Sequence, residues 1–504
     1  MQIAELSEHL QQEVILNGWV SNKRKGKGLA FLLLRDGSGF TQCVVDASNV
    51  SEETMELALD LSLESAISVK GIVVKDERQV GGYELSVQGI KLIHQSEEYP
   101  ISNKEHGVDF LMQNRHLWLR SKRQWAKMRI RNTIIYGMHT YFQERGFVQM
   151  DAPLFTANAC EGTTTLFHTD FYGEEAFLSQ SGQLYGEAMA MAMGKIYTFG
   201  PTFRAEKSKT RRHLSEFWMI EPEMAFYDLE MNMELIEDFM RFLVKRVVNN
   251  CGEELLLIGR DVESLKKADA VFPRLTYTEA VLILRGEKEV NGLNSLKVLK
   301  EDLSHAKAQL ESNLSEITER EEAIAKGGIK KGVVNFNKNK IAALSAENKA
   351  LEEACRNIPN WIISAKNFKE GEDFGGSDET VLTRLFETPI MVYNWPKGIK
   401  AFYMKECEED PRFVKGVDVL APEGYGEIVG GAERENNLAI LQAKIKEHDL
   451  SEEDFKWYLD LRRYGSVPHA GFGIGLERFV AWMTGSKHVR ETIPFPRMYG
   501  NLMP

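Results

Sequence analysis

From about Val14 to Ile93 apolar and polar residues alternate in short runs. They read Val14-Ile15-Leu16-Asn17-Gly18-Trp19-Val20, then Leu29 to Leu34, Phe40 to Val45, Ala66 to Val74 and Tyr83 to Val87. A period of two over such lengths predicts strands with one buried face. Glycine-bearing turns separate several of them, at Lys25-Gly26-Lys27-Gly28, Asp36-Gly37-Ser38-Gly39 and Gly81-Gly82. With one helix-like stretch near Glu52 to Leu61, the pattern fits a five-stranded Greek-key barrel of the OB type, as it would fit another small β-domain.

The pattern changes after residue 98. Residues 99–115 read as a linker, and residues 116–504 mix helical and strand periods, which together with the barrel predicts an α+β chain. Within 290–358 the spacing is helical. Leu296, Leu299, Leu303, Ala306, Leu310 and Ile317 form one seam, and Ile341, Leu344, Leu351, Cys355 and Ile358 form another. Glycines around Gly327-Gly328 and Gly332 lie between them, so the segment predicts an antiparallel helical hairpin. Its tip carries five lysines and no acid between Ala323 and Ala346, which suits an RNA contact or a solvated turn.

Composition narrows the class. A chain of 504 residues is too long for a single core and predicts two or three domains. No apolar run approaches the ~20 residues of a membrane helix. Met1 to Glu13 carries acids and no basic patch before an apolar run, so no secretory leader is expected. Cys43, Cys160, Cys251, Cys355 and Cys407 are scattered, without the close pairs of structural zinc, and read as reduced thiols of a cytosolic protein. A net charge of −12 argues globally against nucleic acid, yet a local basic face remains open.

Three strings carry candidate chemistry. The first is Gly200-Pro201-Thr202-Phe203-Arg204-Ala205-Glu206, followed by Thr210-Arg211-Arg212-His213-Leu214-Ser215-Glu216-Phe217. The second is Gly471-Phe472-Gly473-Ile474-Gly475-Leu476-Glu477-Arg478-Phe479. The third pairs Asp418 with Glu427, in Gly416-Val417-Asp418-Val419-Leu420 and Gly426-Glu427-Ile428-Val429-Gly430-Gly431.

The first two strings resemble motifs 2 and 3 of the class II aminoacyl-tRNA synthetases. A helix from about Gln124 to Arg145, followed by Gly146-Phe147-Val148-Gln149-Met150-Asp151-Ala152-Pro153, is similar to their motif 1. The resemblance covers nearly the whole chain outside the hairpin. It implies an antiparallel catalytic sheet with flanking helices, a homodimer, and a reaction using ATP and Mg²⁺ to charge tRNA. It further implies that Arg204 and Arg478 are catalytic and bind ATP, that Glu206, His213, Phe217 and Glu427 complete the ATP site, and that Asp418 and Glu427 hold Mg²⁺. Glu206, two residues beyond Arg204, is expected on the same face of the motif 2 strand.

An N-terminal OB domain ahead of the catalytic domain resembles the aspartyl/asparaginyl/lysyl subgroup. By that match Phe31, Gln42 and Glu84 read the anticodon, with Lys23, Arg24, Lys25 and Lys27 as local positive charge. Glu161 and Gln183 hold the substrate ammonium, and Arg434 donates to the substrate side chain. Aspartyl enzymes carry a lysine where this chain has Gly186, and an aspartate where it has Glu221 within Ile220-Glu221-Pro222-Glu223. One positive charge is therefore missing and a carboxylate faces the substrate, which implies asparagine rather than aspartate. The alternative is an aspartyl enzyme, either specific or accepting both tRNAs. Ala432, Glu433 and Ala470 depart from the usual asparaginyl pattern.

Overall fold

The computed structural model describes residues 1–79, 81–102, 104, 106–157, 160, 165–328 and 330–504. Two compact units result: Met1–Arg129 with Leu256–Ile258 and Met503–Pro504, and Ile130–Leu255 with Gly259–Leu502.

In the first unit the alternating runs form β1 (Glu13–Gly26), β2 (Leu29–Arg35), β3 (Phe40–Asp46), β4 (Ala66–Lys75) and β5 (Tyr83–His94). They close into a barrel in the order β1-β2-β3-β5-β4. The inward set is the one the alternation marks: Val14, Leu16, Val20, Leu32, Leu34, Cys43, Val45, Val69 and Leu85 are buried. The helix Glu52–Asp60 begins where the Ser51 side chain accepts from Thr54 N, and Ala58 and Leu61 plug the core.

The second unit contains β6 (Val148–Met150), β7 (Phe155–Thr156), β8 (His168–Phe171), β9 (Glu174–Leu178), β10 (Lys195–Phe203), β11 (Glu216–Ala225), β12 (Arg274–Thr276), β13 (Ile390–Pro396), β14 (Phe413–Ala421), β15 (Gly426–Glu433) and β16 (His469–Gly475). Eight of these form one sheet in the order β12-β13-β14-β15-β16-β11-β10-β6, and β7-β9-β8 form a small second sheet. The central pairs are antiparallel, while the outermost pairs β12·β13 and β6·β10 are parallel. The helix Leu229–Asn250, capped by the Asp228 carboxylate on Met231 N, buries Met233, Ile236, Met240 and Leu243.

The hairpin consists of helices Ser295–Ala325 and Lys331–Asn367. Leu299, Ala306, Leu344 and Ile358 are buried along it, as the seams require. The second helix runs past Ile358, through Pro359, to Asn367. Its last turns bury Ala365 and pack Trp361 and Ile362 on the cluster around Leu284 and Trp395, so apolar contact extends it. Midway, Asn313 Nδ2 donates to Asn348 Oδ1 at 2.9 Å inside the seam.

Candidate active site

A cavity of about 320 Å³ is lined from β11, β14, β15 and β16, from the loop after β10, and from Ile399 to Met404. Successive residues of a strand point to opposite faces, so Phe217, Met219, Glu221 and Glu223 of β11 all look into it. Arg204, Glu206, His213, Phe217, Gln183, Glu221, Asp418, Glu427, Arg434 and Arg478 line this one cavity. Glu161 lies outside the described residues.

Arg204 and Glu206 stand just beyond a strand, where the sequence pattern expected both within one. The β10·β11 ladder ends at Phe203↔Glu216. Arg204 N still donates to Ser215 O at 3.0 Å, but Ala205 N turns away to Thr165 O at 2.8 Å. That divergence opens the loop whose return strand carries Phe217, and the Arg204 guanidinium lies 5.5 Å from the Phe217 ring centre. His213 Nε2 sits 3.3 Å from Glu206 Oε2. Burial, and then the Arg478 charge, hold the His213 imidazole below its ordinary range.

Arg478 follows the β16 strand on the helix Leu476–Thr484. Its Nη1 donates to Glu427 O at 2.9 Å and to Glu427 Oε2 at 3.2 Å. Burial favours the neutral form of Glu427, but Arg478, Lys400 and Arg204 outweigh it and hold the carboxyl below its usual range. On the next strand, burial pushes Asp418 up to about 7, with Glu427 adding to the rise and Lys400 opposing it. Lys400 Nζ donates to Asp418 Oδ2 at 2.6 Å, a contact that no sequence signal marked.

Asp418 and Glu427 converge above Gly430. A Cβ there would stand 3.3 Å from Glu427 Oε1 and 3.7 Å from Asp418 Oδ1. Two carboxylates in a cavity that Arg204 and Arg478 also line suit Mg²⁺, which takes few protein oxygens and fills its shell with phosphate and water. No group of three or more metal-binding side chains exists among the described residues, so a site built wholly from protein is not offered there.

At the other part of the cavity, Arg434 is buried against Glu223, with Nη2 to Oε1 at 2.5 Å and Nε to Oε2 at 3.3 Å. Glu223 carried no role in the sequence reading, although its place two residues after Glu221 puts both on one strand face. Room for it comes from Gly471 and Gly186: a Cβ on Gly471 would lie 2.2 Å from Glu223 Oε1, and one on Gly186 3.2 Å from Glu223 Cγ. Burial pushes Glu223 up to about 7, with Glu187 and Glu221 adding and Arg434 opposing. Glu221 is held differently. It accepts from Ser181 Oγ at 2.5 Å, Gly182 N at 2.9 Å and Thr198 Oγ1 at 3.2 Å.

Arg212 also acquires partners the sequence did not reveal. It pairs with Glu379 and donates to Gly424 O at 2.5 Å, pinning the loop after β10.

The barrel gathers its own three residues. The β3·β5 register sets Gln42 opposite Glu84, and Gln42 Nε2 donates to Glu84 Oε2 at 2.8 Å. Arg24, opposite Phe31 across β1·β2, stacks its guanidinium 4.3 Å from that ring and donates to Gln42 Oε1 at 3.1 Å. Lys23 instead turns to Leu59 O and Leu61 O, at the end of the helix Glu52–Asp60.

The family profile described as tRNA synthetases class II (D, K and N) matches residues 107–499, and that of the OB-fold nucleic acid binding domain matches 14–93. The chain is 48% identical to the asparagine--tRNA ligase of Sorangium cellulosum, covering 99% of this chain and 98% of that one. It is 45% identical to the asparagine--tRNA ligase of Desulforamulus reducens, covering 100% and 99%. Among solved structures, asparaginyl-tRNA synthetase from Pyrococcus horikoshii complexed with asparaginyl-adenylate matches with a TM-score of 0.81 at 35% identity, covering 100% of this chain and 99% of that one.

Proposed function

The chain belongs to the class II tRNA synthetases of the D, K and N group, and from that premise we propose that it is an asparagine--tRNA ligase. It joins L-asparagine to its tRNA through an asparaginyl-adenylate, using ATP. The carrying observation is Arg434 beside Glu223 in the cavity. A guanidinium donates and a carboxylate accepts, which is the complement of a carboxamide's oxygen and NH₂. Glu221 adds a second carboxylate on the same strand face and reinforces the repulsion of an aspartate side chain. With Gly186 in place of a lysine, that position supplies no ammonium to offset these charges.

The substrate's own α-carboxylate is the nucleophile on the α-phosphorus, and pyrophosphate leaves. The tRNA 3′-hydroxyl then attacks the mixed anhydride and releases AMP. Catalysis is positioning plus preorganised charge. Arg204 faces the α-phosphate, Arg478 the outer phosphates, with His213 beside them, while Glu206 accepts from the adenine amino group and Phe217 supports its ring. Asp418 and Glu427 would hold Mg²⁺, which when bound neutralises phosphate charge. Gln183, with Glu161, holds the ammonium.

Residues 1–98 form the anticodon reader in this scheme, with Phe31 stacking on a base and Gln42 and Glu84 bonding base edges. Residues 99–115 link it to the catalytic domain 116–504, and 290–358 is the insertion. The enzyme works in the cytosol and as a homodimer, the dimer supported by exposed Tyr136, Val148, Leu154 and Phe155 in and after the helix Lys122–Glu144. No helix among the described residues is long and apolar enough to cross a membrane.

The test is amino-acid-dependent pyrophosphate–ATP exchange with each of the twenty amino acids. Exchange with asparagine alone is expected. Exchange with aspartate instead would keep the fold and chemistry and overturn the reading of Gly186, Glu221 and Glu223.

A further inference from the structure

Behind Gln183 lies a buried polar network that the scheme above does not use. Glu187, one helical turn on, is fully buried and accepts from Gln183 Nε2 at 3.1 Å. It also accepts from Tyr458 OH at 2.8 Å and from Arg462 Nη2 at 2.7 Å, and His469 Nε2 lies 2.9 Å away. These partners come from the helix Lys456–Arg463 and from β16.

The chemistry fixes a direction. Burial works against the Glu187 charge, but Arg462 and His469 outweigh it and hold the carboxyl well below its usual range, so it is ionised and can only accept hydrogen bonds. Gln183 must therefore turn its NH₂ toward Glu187, which leaves its carbonyl oxygen for the cavity that its side chain lines. An ammonium has three donors and no acceptor, so it needs that oxygen and would be rejected by the NH₂ end. Burying such a network seldom adds stability over apolar packing, so orientation is the better account of it. We infer that Glu187 is a positioning residue that locks the Gln183 amide with its oxygen toward the substrate's α-ammonium. This rests on the role assigned to Gln183 under the proposed function.

The experiment compares asparagine with succinamic acid, which is asparagine without its α-amino group, used as a competitive inhibitor of exchange in the full-length enzyme. In Glu187→Gln the neighbour no longer dictates the amide's direction. The KM for asparagine should rise about tenfold or more, while the Ki of succinamic acid and the KM for ATP stay within about twofold. Glu187→Asp keeps the charge for Arg462 but withdraws it by one methylene, so it guards against misfolding and should give the same selective loss. Adding Gln183→Ala to either variant should cost little more, because both act through one contact. An equal rise for asparagine and succinamic acid, or no rise for either, would overturn the inference. Absence of asparagine exchange in the unaltered chain would overturn the functional reading itself, and this inference with it.

Discussion

Arg434 meets Glu223 rather than Glu221: the two side chains lie 2.5 Å apart, each buried, while Glu221 accepts from Ser181, Gly182 and Thr198. Two glutamates on one strand face thus do different work. One braces the turn that begins the helix Gln183–Met193, and the other pairs with the Arg434 guanidinium that lines the cavity.

That division predicts different outcomes for two similar variants. Glu223→Gln should raise exchange with aspartate relative to asparagine by roughly tenfold or more, since an unpaired buried contact is what rejects the wrong side chain. Glu221→Gln should lower exchange with both substrates, because it loosens the turn, and should relax discrimination against aspartate by less than Glu223→Gln does, since its oxygens are already taken up by Ser181, Gly182 and Thr198. Exchange rates with the two amino acids, measured side by side, check this.

Selectivity should also depend on pH. Burial pushes Glu223 up to about 7 from an ordinary 4.5, helped by Glu187 and Glu221 and opposed by Arg434. Below that value the carboxyl is protonated, accepts less well from an amide and no longer repels a carboxylate. The KM for asparagine should rise, and discrimination against aspartate fall, as pH drops from above 7 to below it. Glu223→Gln should flatten both profiles. For stability the sign is opposite: the folded state holds this proton more tightly, so the group's contribution falls as pH rises from 4.5 through 7.

If Arg204 and Arg478 meet the ATP phosphates as proposed, removing either should act on rate more than on folding. Arg204→Ala and Arg478→Ala should each lower kcat for exchange by about 10²- to 10³-fold, the range for losing one preorganised donor. Arg478→Ala also leaves Glu427 without its ion pair, so its ATP KM should move as well. Steady-state exchange kinetics separate the two effects.

The barrel face should govern charging alone. Phe31→Ala should leave exchange unchanged and raise the tRNA KM in aminoacylation by roughly five- to a hundredfold, corresponding to about 1–3 kcal/mol of lost stacking. Unchanged charging would remove Phe31 from the anticodon site.

The hairpin offers a stability test apart from catalysis. Asn348→Leu leaves Asn313 without its buried acceptor and should cost about 1–3 kcal/mol. Changing both asparagines to leucine should recover most of that loss, since an apolar seam tolerates the pair. Thermal unfolding of the single and double variants checks it.

Local pattern sufficed wherever one face of an element meets a core. Alternation in β1 to β5 marks the barrel interior, and the spacing of Leu299, Ala306, Leu344 and Ile358 marks the hairpin seam, because burial repeats with the period of the backbone. Contiguous strings such as Gly200 to Glu206 and Gly471 to Arg478 likewise pointed to residues that line one cavity. What the chain alone left undecided is which distant side chains face each other. Lys400 reaches Asp418, Arg212 pairs with Glu379, Glu223 takes Arg434 and Glu187 takes Arg462, and the last three pairs join residues more than a hundred positions apart. Each such pair depends on sheet order and on the room left by residues like Gly471 and Gly186. Those are properties of packing in three dimensions, which no local period encodes.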